Sequence, residues 1–242
     1  MKLKVITINV WRYYEWEKRK DKLIDFLKKE NADIILFQEA ASSERFAWKN
    51  QIEEINENLN YRSFAFEKLV KMTKWYEEPI DYEMYYGFGI LSKYEIKKSE
   101  LIKLSHVMKE KDFGFMHIVV EKNKKNFDFL SVHFENTDEG SKQQLKETLN
   151  WCEKKKISPI IAGDFNMKDT NTLGEIASGN YEISYFVKKY FSFMPTEFSN
   201  NKEPITLDYI IVKKTKFKIK KVQCVEDSPS DHKPIICEIE II

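Results

Sequence analysis

Cysteine is scarce in this 242-residue chain. Cys152, Cys224 and Cys237 are odd in number, and their spacing matches no zinc pattern, so they read as buried or inert thiols rather than a disulfide framework or a metal knot. Glycine and proline are thin as well, 7 and 6 residues with no rich stretch, so no flexible linker is marked. There is no internal repeat and no low-complexity tract. One domain over residues 1–242 is the simplest partition at this length. A surplus of one charge is also missing, since the formal net charge is +1. Proteins that grip a long duplex by its backbone usually carry a basic excess, so a partner with a small phosphate footprint fits better. No apolar run approaches the length of a membrane span. The first ten residues, MKLKVITINV, lack the apolar core and cleavage site of a signal peptide and alternate like a strand. A reducing, cytoplasmic location is the resulting expectation.

What is present is ordinary globular material, 42% apolar and 33% charged, with a high aromatic content of 14%. A strand is expected over residues 3–8 and a helix over 17–30, with Leu23, Ile24, Phe26 and Leu27 on one side and Lys18, Arg19, Lys22, Asp25, Lys28 and Lys29 mostly away from them as a solvated face. The unbroken apolar run 34–37 marks a strand buried on both faces, so the chain opens β-α-β. The unit recurs as a strand over 127–132, a helix over 141–156 and a strand from 159 to 162. Between the two units, 61–66, 87–91, 97–104 and 115–121 read as an antiparallel meander, and 205–212, 217–225 and 234–241 add strands at the end. Helices interleaved with many strands argue for stacked mixed sheets covered by helices.

Polar residues stand where the apolar runs stop. Asn9 follows the first strand, Glu39 follows 34–37, His133 follows 129–132, Asp164 and Asn166 follow 160–163, and Asp231 and His232 precede 234–236. Each alone reads as a turn former, a cap or a structural histidine. The set reads differently, because strand ends meet at sheet edges and bring such groups together. Phosphate-ester hydrolysis needs a hard cation on carboxylate or carboxamide oxygens, a group to orient or deprotonate water, and a group to stabilise developing charge. Glu39, Asp231 and Asn9 suit the cation, Mg²⁺ with Mn²⁺ as a substitute. Asp164, His232 and His133 suit proton and charge handling.

In order along the chain, Thr7-Ile8-Asn9, Gln38-Glu39, Gly87-Phe88-Gly89-Ile90-Leu91-Ser92, Ser131-Val132-His133, Gly163-Asp164-Phe165-Asn166, Leu207-Asp208-Tyr209-Ile210 and Ser230-Asp231-His232 resemble the endonuclease/exonuclease/phosphatase superfamily, the DNase I-like fold. The resemblance implies an α/β fold, a four-layer α/β/β/α sandwich of two packed mixed β-sheets flanked by helices. It also implies a magnesium-dependent phosphoesterase with Glu39 as principal metal ligand and Asn9 and Asp231 nearby. By the same resemblance Asp164 positions or activates water and Asn166 contacts the phosphate. His232 is general base or phosphate contact, oriented by Asp208, and His133 is general acid or oxyanion stabiliser. Taken without it, Asp208 is a residue inside an apparent strand, free to face solvent. Departures are visible too. Asn9 continues as Val10-Trp11-Arg12, unlike the abasic-site nucleases, and Met167-Lys168 follows the Asp-x-Asn pair where inositol polyphosphate phosphatases carry arginine.

Two aromatic segments border these motifs: residues 11–16, containing Trp11 and Arg12, and residues 71–86, containing Lys74, Trp75, Tyr76, Tyr82, Tyr85 and Tyr86. Aromatic rings stack on bases, and an arginine forks onto phosphate; packing of the sandwich rim is the alternative. The leading expectation is a phosphodiesterase acting on nucleic acid, with Trp11 and Arg12 on the substrate. The rival is a phosphatase or phosphodiesterase for a small metabolite, inositol phosphate or lipid headgroup. An inactive binding module ranks last, because Glu39, Asp164 and His232 are all present. His106 and His117 match no motif and read as structural.

Overall fold

A computed structural model describes residues 1–75, 78–107, 112–177, 179–199 and 202–242; Tyr76 of the second aromatic segment lies outside them. In chain order the elements begin with β1 (Lys2–Asn9), α1 (Trp16–Glu30), β2 (Ile34–Ser43), α2 (Gln51–Leu59), β3 (Ser63–Trp75) and β4 (Glu78–Ser92). They continue with β5 (Glu95–Leu104), β6 (Phe113–Lys122), β7 (Lys125–His133), α3 (Asp138–Lys155), β8 (Ile160–Asp164) and α4 (Thr170–Ile176). The last are β9 (Tyr181–Ile183), α5 (Ser184–Val187), β10 (Asp208–Lys213), β11 (Phe217–Cys224) and β12 (Ile235–Ile241).

Two mixed sheets result, in the orders β11-β12-β1-β2-β4-β3 and β5-β6-β7-β8-β10-β9. Each contains one parallel pair, β1 with β2 and β7 with β8. Parallel neighbours need a crossover, and α1 and α3 supply it, as the repeated β-α-β pattern anticipates. Strand period then sorts the side chains. Leu3 and Val5 of β1 point between the sheets while Ile6 and Ile8 point under the helices. The outer faces are closed by Leu23 and Leu27 of α1 with Ile52 and Ile55 of α2 on one sheet, and by Leu145 and Leu149 of α3 with Leu173 of α4 on the other. Four layers follow: helices, sheet, sheet, helices. Among the described residues, no helix is long and apolar enough to cross a membrane.

The meander differs from expectation in one respect. β3 and β4 run as a long hairpin through the aromatic segment, well past the short strands expected at 61–66 and 87–91. Its many charged and aromatic residues read as a segment bordering the site rather than as strand. Asp208 is the first residue of β10, and the strand expected from residue 205 starts there; the carboxylate is buried, not solvent-facing.

Three polar residues pin the two sheets together beneath the open end. Thr7 Oγ1 donates to Gln38 Oε1 at 3.2 Å, and Gln38 Nε2 donates to Ser131 Oγ at 2.8 Å. Buried polar groups persist only when paired, so this network fixes how the sheets stack.

His117 has a structural place. Its Nδ1 lies 2.9 Å from Glu100 Oε1 and its Nε2 2.9 Å from Asp128 Oδ1, with the Trp151 ring edge-on. Burial opposes the charged imidazole, but Asp128 and Glu100 outweigh it and raise its pKa. Stability from a raised histidine is complete below its ordinary value and is lost as pH rises through the raised one. The stability advantage of the protein over His117→Gln should therefore be larger near pH 6 than near pH 9, by on the order of 1 kcal/mol. Urea unfolding of both proteins at the two pH values measures it; equal differences would show that the charge contributes nothing.

Candidate active site

The site forms where the strand period carries polar residues to the open end between the sheets. Asn9 continues the inward series Leu3, Val5, Thr7 of β1. His133 continues Phe129, Ser131 of β7, and Asp164 continues Ile160, Ala162 of β8. Asp208 begins the inward series Ile210, Val212 of β10. Register then sets three of them side by side: His133 opposite Asp164, and Asp164 opposite Asp208. Gly163 makes this row possible. It has φ 149°, and a Cβ there would lie 2.0 Å from the Val132 carbonyl oxygen, so only glycine lets β8 lie so close to β7.

Glu39 arrives differently. The pairing of β2 with β4 slips between Gln38 and Ala40, which leaves Glu39 as the extra residue of a bulge with φ 51°. A bulge re-aims a side chain, and here it points the carboxylate at the row from the opposite sheet. Trp11, Arg12 and Asn166 also adopt left-handed backbone, at φ 56°, 48° and 49°. Such a conformation costs a non-glycine residue about 1–3 kcal/mol, and it persists only where the surroundings over-determine it.

The surroundings do so. Asn9 Oδ1 accepts from Trp11 N at 3.0 Å, and Asp164 Oδ1 accepts from Asn166 N at 3.0 Å. Arg19, on α1, donates to five carbonyls: Tyr14, Val10, Trp11 and Arg12 on the loop after β1, and Pro229 on the loop carrying Asp231 and His232. This clamp was not legible in the sequence, where Arg19 is one cation of a solvated helix face.

Asp208 Oδ2 lies 2.8 Å from His232 Nδ1 and accepts from Ser192 Oγ at 2.7 Å. Ser192 in turn accepts from the backbone N–H of Leu207 and Asp208. Ser192 stands in no motif, and nothing in the sequence marks it. The other ring nitrogen, His232 Nε2, is 3.7 Å from Asp164 Oδ2, and His133 Nε2 is also 3.7 Å from that oxygen and 3.9 Å from Glu39 Oε1. Asn9 Nδ2 donates to Asp164 Oδ2 at 3.2 Å, and Asn166 Nδ2 donates to the Phe134 carbonyl at 2.9 Å. Phe193 stacks edge-on against His232. Thus Asn9, Glu39, His133, Asp164, Asn166, Asp208 and His232 converge.

Arg12 and Trp11 diverge. Arg12 Nε lies 2.7 Å from Glu39 Oε2, with its guanidinium over the Trp75 and Tyr86 rings. Trp11 turns to Tyr14, 4.0 Å between centroids, and Tyr14 meets Phe198. Asp231 joins from the β12 side, its Oδ1 accepting from Ser230 Oγ at 3.1 Å.

Electrostatics at the site are uneven. Burial alone would raise Glu39, but Arg12, then His133 and His232, hold it down at about 2. Burial pushes the Asp164 carboxyl above the usual carboxylate range. It raises Asp231 too, and the like charge of Glu39 adds to that rise. Burial disfavours a charged His232, yet Asp208 and Asp164 outweigh it and hold the imidazole well above its ordinary value.

Those charges test whether a cation fits. Four carboxylates, Glu39, Asp164, Asp208 and Asp231, gather here, and the positive groups Arg12, His133, His232 and Arg19 act on them. Asp208 Oδ1 is buried with no hydrogen-bond partner among the described residues. Asp164, Asp208 and His232 each offer a ligand atom, all within 4.8 Å of one another, so a metal can be held there. Glu39 and Asp231 add carboxylate oxygens, the donor type that hard cations prefer, while Asn9 turns Nδ2 to Asp164 and Oδ1 to the Trp11 N–H.

A family model described as Endonuclease/Exonuclease/phosphatase family matches residues 6–232. An endonuclease/exonuclease/phosphatase family protein from Leptotrichia buccalis superposes with TM-score 0.75 at 18% identity, covering 98% of this chain and 99% of that one. The human nocturnin catalytic domain with bound sulfate has TM-score 0.73 at 17% identity, covering 100% and 95%. D. rerio TDP2 in complex with a single-stranded DNA product has TM-score 0.67 at 17% identity, covering 99% of both chains. At these identities the likeness to the solved structures is one of fold.

Proposed function

The chain belongs to the endonuclease/exonuclease/phosphatase family, and on that premise we propose that it is a Mg²⁺-dependent phosphodiesterase acting on nucleic acid. The observation that carries the reading is the Asp208–His232 pair at 2.8 Å, set beside Asp164 and His133 and opposite Glu39 at one open sheet edge. Glu39, Asn9 and Asp231 are the metal-holding residues, with Mn²⁺ able to substitute. When bound, the cation neutralises charge on the phosphoryl and leaving oxygens.

The remaining work falls to side chains. Asp164, its Oδ1 tied to the Asn166 N–H and its Oδ2 to Asn9, orients the attacking water and takes its proton. A raised pKa suits a carboxylate that accepts a proton during the reaction. His232, kept protonated by Asp208, presents Nε2–H to the phosphoryl oxygens. Asn166 contacts the same group. His133, on the Glu39 side of Asp164, protonates or stabilises the leaving oxygen. Trp11 and Arg12, on the loop after β1, are the proposed substrate contacts. The single-stranded DNA product held by D. rerio TDP2, a protein of the same fold, supports a nucleic-acid substrate. The formal net charge of +1 favours the second reading, a small phosphorylated metabolite, inositol phosphate or lipid headgroup.

The test uses purified protein with Mg²⁺ or Mn²⁺ on a plain phosphodiester, single- and double-stranded DNA, RNA and inositol phosphates. Hydrolysis should stop with EDTA and return with Mg²⁺; full activity without metal would overturn the assignment. On the preferred substrate, the affinity is expected to fall with salt at a log–log slope of about −2 or steeper if several nucleic-acid phosphates are gripped. A slope near zero selects the small-ester reading.

A further inference from the structure

Arg12 is held in a specific place. Its Nε lies 2.7 Å from Glu39 Oε2, and its guanidinium carbon lies 5.7 Å from the Trp75 ring centre and 5.4 Å from that of Tyr86. The backbone that presents it is left-handed at both Trp11 and Arg12, and Arg19 and Asn9 hold that backbone through the Arg12 carbonyl and the Trp11 N–H. Gln51 Nε2 also donates to the Arg12 carbonyl at 2.8 Å. Asn9, Arg19, Gln51 and the Trp75 and Tyr86 rings therefore combine to press one cation onto one carboxylate, the one read above as the principal metal ligand.

We propose that Arg12 is a resident counterion that competes with the divalent metal for Glu39 and so sets the metal affinity of the site. A guanidinium on Oε2 partly neutralises Glu39 and repels a second cation arriving at Oε1, the oxygen that faces His133. Metal binding then has to displace the guanidinium or bear its repulsion. Displaced from Glu39, the fork stays near the site on its short tether and turns to phosphoryl oxygens, which it binds bidentately. Trp75 and Tyr86 give the cation an apolar seat in the metal-free state, so the exchange is between two defined partners. Metal first and phosphate second is the binding order this favours.

The inference rests on the reading of Glu39 as a ligand. Binding of Mn²⁺ alone, measured by calorimetry or electron paramagnetic resonance with no substrate, tests it without using activity. Arg12→Gln keeps a polar side chain of similar reach and loses the charge; it should bind Mn²⁺ about tenfold more tightly or better than the natural protein. Arg12→Lys keeps the charge and should stay within about threefold of it. Melting curves establish that both variants fold. Mn²⁺ should also raise the affinity for inorganic phosphate by a larger factor in the natural protein than in Arg12→Gln. Unchanged or weaker Mn²⁺ binding in a folded Arg12→Gln would overturn the proposal and leave Arg12 as an orienting partner of Glu39. No Mn²⁺ binding by the natural protein would overturn the metal reading itself, and this proposal with it.

Discussion

Asp208→Asn is expected to lower the rate of phosphodiester hydrolysis by about 10²–10⁴-fold with little change in KM. Asp208 Oδ2 accepts from both His232 Nδ1 and Ser192 Oγ. A carboxylate in that place fixes the imidazole with its proton on Nδ1 and supports the charged ring. An amide fails in either orientation. With its oxygen toward His232 it keeps the hydrogen bond but withdraws the negative charge, and the imidazole pKa drops. With its nitrogen there it forces His232 to accept, leaving a neutral ring in a different tautomer. The substitution also leaves an amide hydrogen or oxygen at the position of Asp208 Oδ1, which is buried without a hydrogen-bond partner among the described residues, at a stability cost of about 1–3 kcal/mol. Steady-state kinetics across pH, with imidazole NMR of His232, separates the effects. A rate within about threefold of the natural protein, with the His232 titration unmoved, would return Asp208 to a purely structural place.

Glu39→Gln is the second large effect, with Mg²⁺ or Mn²⁺ affinity expected to fall by more than about 100-fold. Loss of a residue that merely supports a metal ligand costs about 10–100-fold, so loss of the ligand itself should exceed that. The fold should survive, because Gln fits the bulge and its amide oxygen can still face the Arg12 guanidinium. Calorimetric titration of the metal measures this directly. The result also separates the two donor sets. If Glu39, Asn9 and Asp231 hold the cation, Glu39→Gln loses it and Asp208→Asn keeps most of it. Metal affinity kept in Glu39→Gln and lost in Asp208→Asn would assign the ion to Asp164, Asp208 and His232 instead.

Much of this protein is legible in its sequence. The two parallel units were visible because α1 and α3 show a helical apolar stripe and 34–37 an unbroken apolar run, signals set by neighbours a few residues apart. Asn9, His133 and Asp164 were visible because a strand's period of two also runs to its end, where a polar residue breaks the series. The long β3–β4 hairpin was not, since the charged and aromatic residues of its outer half read as a segment bordering the site. The bulge at Glu39 was not either, because it is defined by a slip against β4, a strand separated from it in sequence by α2 and β3.

What the sequence by itself determined is therefore local: which segments become strands and helices, which face of each is apolar, and which polar residues end the series. Family resemblance added the expectation that Asp208 meets His232, 24 positions later. Only the tertiary structure decided which of these groups touch. It put Ser192 beneath Asp208, made Arg19 the clamp between two loops, and turned Arg12 from a general phosphate ligand into the partner of Glu39. The physical reason is range. Backbone periodicity acts over a few residues, while these contacts depend on sheet register, a bulge and the stacking of two sheets, and those are fixed by the packing of the whole chain.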